Sequence, residues 1–441
     1  METSPNFEKE PNFDESIKEL SSLASITVYE RLNATNDKLA KEEFLEDSSL
    51  VHPRNVYGNL SEEEVRNGAD RIDDIMEHLV TDNPRQRLLA QSIADDGIKK
   101  YNFLAANIGY NAASTPEEKE FAANYHHKTN EALYGKADED VFYQILNYEI
   151  SKIDTTSLSP EDTAKYDKML AAIGPIKDAK KPLYRPSQEN FARFSEMAKE
   201  FFAPFLQHIP EDKENFTPEE LAGIFNDIFR DEFGGMEIPY HAEVTDSVSN
   251  VDANHELHTI RIPQNVKKPY SAKRCKELVV HELGTHIYRA IPYLDQNIGI
   301  FSLGLPNNEV FDEGIAECVS QAITGNYDEV GHEHYINIGL ATFKNKNFRE
   351  VYEIQSALKS LTGKKNTVTL NKVQRCFRGT GELPNNKDLA YYNGTSKVWQ
   401  YIEKHIDDPM LFDDLFLSGK ANIEIADQSR LVYEMKTRGT L

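Results

Sequence analysis

The chain has 441 residues, with 49 Lys+Arg against 73 Asp+Glu, a formal net charge of −24 and 39% hydrophobic residues. That length supports a large core and two subdomains, while so acidic a balance argues against nucleic acid as a partner. No apolar run approaches the ~18 residues of a membrane span; the longest, Ile298 to Leu305, is far shorter, so no membrane partner is expected.

The first residues, Met1-Glu2-Thr3-Ser4-Pro5, are polar and carry no signal-peptide pattern. Three scattered cysteines, Cys275, Cys318 and Cys376, make no disulfide framework and read as small buried hydrophobes, which together suggests a cytoplasmic location. The acidic excess is concentrated in residues 1–250, with 26 Lys+Arg against 49 Asp+Glu, whereas residues 251–441 hold 23 against 24. Within the second part, residues 351–400 are basic, eight against three.

Residues 1–55 are acidic and weakly periodic, so a flexible N-terminal segment is expected. Residues 56–235 form a helical region, marked by recurrent starts. Ser61 with Glu64 makes a capping box, Thr115-Pro116-Glu117-Glu118 and Thr217-Pro218-Glu219-Glu220 add proline at the first helical position, and Ser159-Pro160-Glu161-Asp162 is a looser version. These are start signals and not a repeat, since their spacings differ.

Residues 236–441 form the catalytic region. It opens on two alternating stretches, Pro239 to Thr245 and Leu257 to Pro263, which read as an antiparallel strand pair. A sheet edge beside a site can pair with substrate backbone. His255 and His258 imitate a metal motif, but strand alternation sends them to opposite faces. They read as surface, like the solvated helix start at His332-Glu333-His334. Adjacent His126 and His127 diverge on a helix.

A helix capped by Ser271 then carries Cys275, Leu278, Val279 and Leu283 at near-helical spacing and stops before Pro292. Inside it lies His281-Glu282-Leu283-Gly284-Thr285-His286. Two imidazoles and a carboxylate are a common ligand set for catalytic zinc, and a glutamate after the first histidine is where zinc peptidases keep their general base. The spacing is one residue too long. On an ideal helix, i and i+4 differ by ~40° and i and i+5 by roughly 140°, so both histidines reach one ion only if the helix widens by a residue, as a π-turn does. Gly284 sits inside that insertion, although a helical glycine costs about 1 kcal/mol relative to alanine.

Downstream, Asp312-Glu313-Gly314-Ile315-Ala316-Glu317 supplies carboxylates one helical turn apart. Spacing admits Glu313 or Glu317 as third ligand, the other being left to orient a histidine. Three classes fit: a zinc carboxypeptidase acting on a peptide or protein C-terminus, a zinc endopeptidase or aminopeptidase, and a non-catalytic interaction protein on a metallopeptidase fold. An aminopeptidase needs acid near the substrate amine, which the basic 351–400 segment does not favour. An intact Glu282 speaks against a purely structural metal, whose site needs no base.

The histidine motif, Phe301-Ser302-Leu303-Gly304-Leu305, Asp312-Glu313-Gly314-Ile315-Ala316, Arg375-Cys376-Phe377-Arg378-Gly379 and Asn386-Lys387-Asp388-Leu389-Ala390-Tyr391 together resemble the tyrosine carboxypeptidase family. The likeness is specific over 278–318, good over 373–400 and diffuse from about 60 to 270; Leu133-Tyr134-Gly135 shares it. Asp312 stands where the family has Gln, and Asn386 where it has Thr. The resemblance implies zinc on His281, His286 and Glu313, with Glu282 as base and Glu317 orienting a ligand. It implies recognition of the substrate carboxylate by Arg375, Arg378 and Lys387, with Tyr391 or Tyr392 donating to the oxyanion. Removal of a C-terminal tyrosine or other aromatic follows, with tubulin as a possible substrate, although a net charge of −24 repels strongly acidic tails at long range. The fold class expected is α+β and mostly helical, a zincin-like metallopeptidase core with a small antiparallel sheet and an N-terminal helical region.

Overall fold

A computed structural model describes residues 13–58, 61–234, 238–248, 250–255, 257–293, 304–305, 308–363 and 369–422. Residues 301–303 of the Phe-Ser-Leu-Gly-Leu stretch and most of the apolar run from Ile298 therefore lie outside the described residues. Among the described residues, the chain is mostly helical with two small sheets. It divides into two compact units, one of Met1–Tyr184 with Gly331–Tyr392 and one of Arg185–Val330 with Asn393–Leu441. These units are drawn differently from the three sequence segments, because the helices after Gly331 share a core with the N-terminal helices.

In the first unit, side-chain caps fix the helix starts. Thr115 and Thr217 (the latter in the second unit) each accept from the backbone of the third helical residue, whose glutamate returns the bond; the Ser61 and Ser159 hydroxyls each accept from the backbone N–H of the third helical residue. The segment expected to be flexible carries the helices Phe13–Ala24, Val28–Arg31 and Asp37–Glu46. The reason is a short apolar stripe that weak periodicity hid. Ile17, Leu20 and Ala24 are buried, and Phe44 joins a core with Phe142, Tyr335 and Phe348.

Three histidines of this unit, His126, His332 and His334, are buried and not solvated. His332 Nδ1 meets Glu149 Oε1 at 2.8 Å, and His334 Nδ1 meets Asp388 Oδ2 at 3.0 Å. His126 is 2% exposed and packs on Phe103, so burial lowers its imidazole to about 4, with neighbouring His127 adding to the effect. A depressed native pKa means that its stability contribution is whole above the unfolded value near 6.5 and is lost as pH falls toward 4. At most about 3 kcal/mol is at stake. Urea unfolding at pH 7 and pH 4.5 is expected to show a larger loss for wild type than for His126→Phe; equal losses would remove His126 as the cause.

In the second unit the strands are β1 (Asn215–Phe216), β2 (His241–Thr245), β3 (Asp252–Asn254), β4 (Thr259–Pro263) and β5 (Tyr270–Ser271). β1 and β5 pair antiparallel, and β5 ends on Ser271, whose hydroxyl caps the helix Ala272–Leu278. The expected antiparallel pairing of β2 with β4 is not what forms. They run parallel, Ala242 opposite Ile260, in a mixed sheet of order β2-β4-β3. The intervening polar stretch is not a plain turn but holds β3, which takes the antiparallel edge of β4 through a tight reversal. There the Asn254 side chain accepts from Leu257 N at 2.8 Å, and His258 adopts φ +52°. The helix Pro218–Phe233 covers the other margin, with Asn226 making two hydrogen bonds to the backbone of Ala242.

Beneath the site lies an aromatic core of Phe194, Phe201, Phe202, Trp399, Phe412 and Phe416, with ring centroids about 5 Å apart where aromatic pairs attract. Trp399 is fully buried and donates its indole N–H to Gln321 Oε1 at 2.7 Å. The helices Glu309–Thr324 and Leu389–His405 cross at glycine on glycine. A Cβ on Gly314 would stand 2.5 Å from the carbonyl of Gly394.

Candidate metal centre

The helix Ala272–Leu278 continues directly into a π-helix, Val279–Ile287. Its backbone bonding spans five residues, as where Tyr288 N donates to Leu283 O at 2.8 Å, and the Thr285 hydroxyl reaches back to Val280 O at 2.9 Å. The widened turn called for by the long histidine spacing is therefore present. Gly284 is there for room as much as for backbone freedom, because a Cβ would meet the ring of buried Phe202 at 2.7 Å.

Widening brings the two imidazoles to the same side, with ring centroids 5.1 Å apart. The helix Glu309–Thr324 packs alongside and adds Glu313. One ligand atom each from His281, His286 and Glu313 lie within 4.8 Å of one another. Two nitrogens and one carboxylate oxygen at that separation suit a divalent cation with an open fourth position.

Each imidazole is oriented by a neighbour on the Glu309–Thr324 helix. His286 Nδ1 donates to Asp312 Oδ2 at 2.7 Å, which leaves Nε2 as the nitrogen that could face an ion. Ser320 Oγ lies 3.5 Å from His281 Nδ1, a long contact, while its own hydroxyl donates to Ala316 O. Burial and the His286 neighbour hold His281 well below the usual imidazole range. Burial pulls His286 the same way, but Asp312 more than offsets it and the net shift is upward.

Asp312 is the hub of a buried charge network. Its carboxylate also accepts from Arg289, which is 0% exposed, and lies 3.2 Å from Lys420 Nζ. Burial alone would raise it, yet Lys420, His286 and Arg289 together hold Asp312 well below the usual carboxylate range. Lys420 Nζ lies 2.6 Å from His255 Nε2, and His255 Nδ1 lies 2.8 Å from the Tyr240 hydroxyl. His255 is thus no surface strand residue but part of this network. None of these partners has local sequence spacing to betray it, except that Arg289 stands one turn after His286.

Glu282 is 7% exposed, and burial pushes its carboxyl up to about 7, with His286 and Glu313 as the next influences. Glu317 lies outside the three-donor cluster. Burial and then Glu313 raise it to about 8, and it makes no hydrogen bond to either imidazole. Among the described residues, the carboxylate that hydrogen-bonds an imidazole of this cluster is Asp312.

The residues expected to bind substrate fall in the other unit, where they gather around His334, Asp388 and Tyr29. Arg375 Nη2 donates to Asp388 Oδ1 at 2.6 Å and to the Tyr391 hydroxyl at 3.1 Å, and the Tyr391 ring stacks on His334. Arg378 and Lys387 face the Tyr29 ring at 5.6 and 5.2 Å. Tyr392 is a core residue, 8% exposed against Tyr335 and His332, and burial raises its hydroxyl to about 12.

A family model described as microtubule-associated tyrosine carboxypeptidase matches residues 179–441, more than half of the chain. The chain belongs to this family. No curated protein and no solved structure matches it. The tyrosine carboxypeptidase match takes in the whole π-helix, the Glu309–Thr324 helix, Lys420 and the Arg375–Tyr391 cluster, and leaves the first 178 residues outside. Among the described residues of this family member, no helix is long and apolar enough to cross a membrane.

Proposed function

We propose that this chain is a zinc-dependent carboxypeptidase that removes a C-terminal residue, tyrosine or another aromatic, from a peptide or protein. The observation that carries the reading is the three-donor cluster of His281, His286 and Glu313 with Glu282 beside it on a π-turn. Family membership supports the carboxypeptidase class. The paired histidine helix and three-stranded sheet are read as a zincin-like core, with β3 packed against the π-helix and able to take an extended substrate along its edge. Buried thiols on all three cysteines fit the cytoplasm.

A zinc ion on these ligands would polarise the scissile carbonyl and lower the pKa of water toward ~7. Glu282 takes the proton of the attacking water and delivers it to the leaving amine; a base with a pKa near the working pH does this best. Asp312 keeps the proton on His286 Nδ1, so its other nitrogen stays a ligand. The family name attaches the activity to microtubules. The net charge of −24 favours a less acidic protein C-terminus as the first substrate to try.

Zinc content of the purified protein and mass loss from peptides ending in tyrosine, phenylalanine or alanine test the reading. About one zinc per chain and loss of one aromatic residue are expected, abolished by chelation and by C-terminal amidation. Zinc-free protein, or zinc-loaded protein that trims amidated and free peptides alike, would refute it.

A further inference from the structure

We propose that Lys420 is a positioning residue of the metal site, pinning Asp312 so that His286 presents its ligand nitrogen to the ion. The inference rests on the metal reading above and goes beyond the ligands and the base. Asp312 has two oxygens with separate duties. Oδ1 takes the Arg289 guanidinium, while Oδ2 takes both His286 Nδ1 at 2.7 Å and Lys420 Nζ at 3.2 Å. The lysine and the histidine therefore share one oxygen, and the place where Lys420 holds that atom sets the tilt of the imidazole.

Lys420 is itself fixed at both ends. Its carbonyl accepts from Leu305 N at 2.8 Å and from Asn308 Nδ2 at 2.9 Å, at the start of the helix that carries Glu313. Arg289 grips the flanking carbonyls of Gly419 and Ala421 at 2.8 and 3.1 Å. Its ammonium, on a side chain 6% exposed, is seated between Asp312 and the neutral His255 ring, which the Tyr240 hydroxyl braces from behind. Arg289 already neutralises Asp312, so charge balance does not call for a second buried cation, and an ammonium is costly to bury. What the lysine adds is a third, differently directed hold on the carboxylate. Such outer partners typically alter metal affinity by roughly 10–100-fold when removed.

The test uses the full chain, zinc with a competing chelator, and cobalt(II) as a spectroscopic probe. For Lys420→Met, zinc is expected to bind about 10–100-fold more weakly and the visible cobalt spectrum to shift. Lys420→Arg, which keeps a donor on Oδ2, is expected to restore both. Unchanged affinity and spectrum in Lys420→Met would overturn the proposal. So would metal-free Lys420→Met and Lys420→Gln both lacking native circular dichroism, since the lysine would then serve the fold and not the site. If wild type binds neither ion, the metal reading itself fails, a result distinct from any difference between variants.

Discussion

Glu282→Gln is expected to lower kcat by about 10²–10⁴ while leaving zinc content unchanged, because the variant keeps the shape and hydrogen bonding of the side chain and loses only the base. Glu282 is no ligand, so retention of metal separates loss of proton transfer from loss of the site. The same substitution should make the metal-free protein more stable at pH 8. Burial raises the native carboxyl to about 7, above its unfolded value, so its contribution to stability is whole at low pH and is lost as pH rises through 7. Glutamine has no charge to bury. A chelator-treated variant that melts higher than wild type at pH 8 but not at pH 5, with turnover nearly abolished, would show an active-site carboxylate kept at the expense of the fold. Activity within tenfold of wild type would sink Glu282 as the base.

Gly394→Ala is expected to be the most disruptive single methyl in the second unit. Its Cβ would lie 2.1 Å from Val310 O and 3.1 Å from Gly314 N. Both are backbone atoms of the helix carrying Asp312 and Glu313, so no rotamer change relieves the clash. The helices must part by about 1 Å, a displacement that at a reacting centre costs on the order of 10²-fold. Overpacking of this kind typically destabilises by about 1–3 kcal/mol. Urea unfolding should show that loss together with weakened zinc binding, since Glu313 moves and Asp312 moves with it, changing its hold on His286. A variant with unaltered stability and unaltered zinc affinity would mean that the two helices do not cross this closely.

The features legible in the sequence were those set by neighbours in the chain. Thr115 and Thr217 announce their helices because a capping box closes within four residues. The five-residue histidine spacing announces the π-turn because helix geometry allows no other way to face one ion. What could not be read depends on partners brought together only by folding. Lys420 and His255 meet Asp312 from distant segments, and no local period marks them. β2 and β4 alternate correctly, but alternation is the same in parallel and antiparallel strands; the direction was decided by β3, a three-residue strand too short and polar to signal itself. The buried His332 and His334 look solvated from sequence because their neighbours are polar, yet Glu149 and Asp388 wait for them in the folded unit.

The π-turn has a further effect on everything that follows it. One inserted residue advances the downstream helix by about 100°, so the turn sets the bearing of Arg289 as well as that of His286. The guanidinium points at Asp312 only on that bearing. Shortening the motif to the common histidine spacing would swing Arg289 away from both Asp312 and the carbonyls of Gly419 and Ala421. The extra residue and the buried arginine are therefore locked together, and a descendant of this chain could shed neither alone.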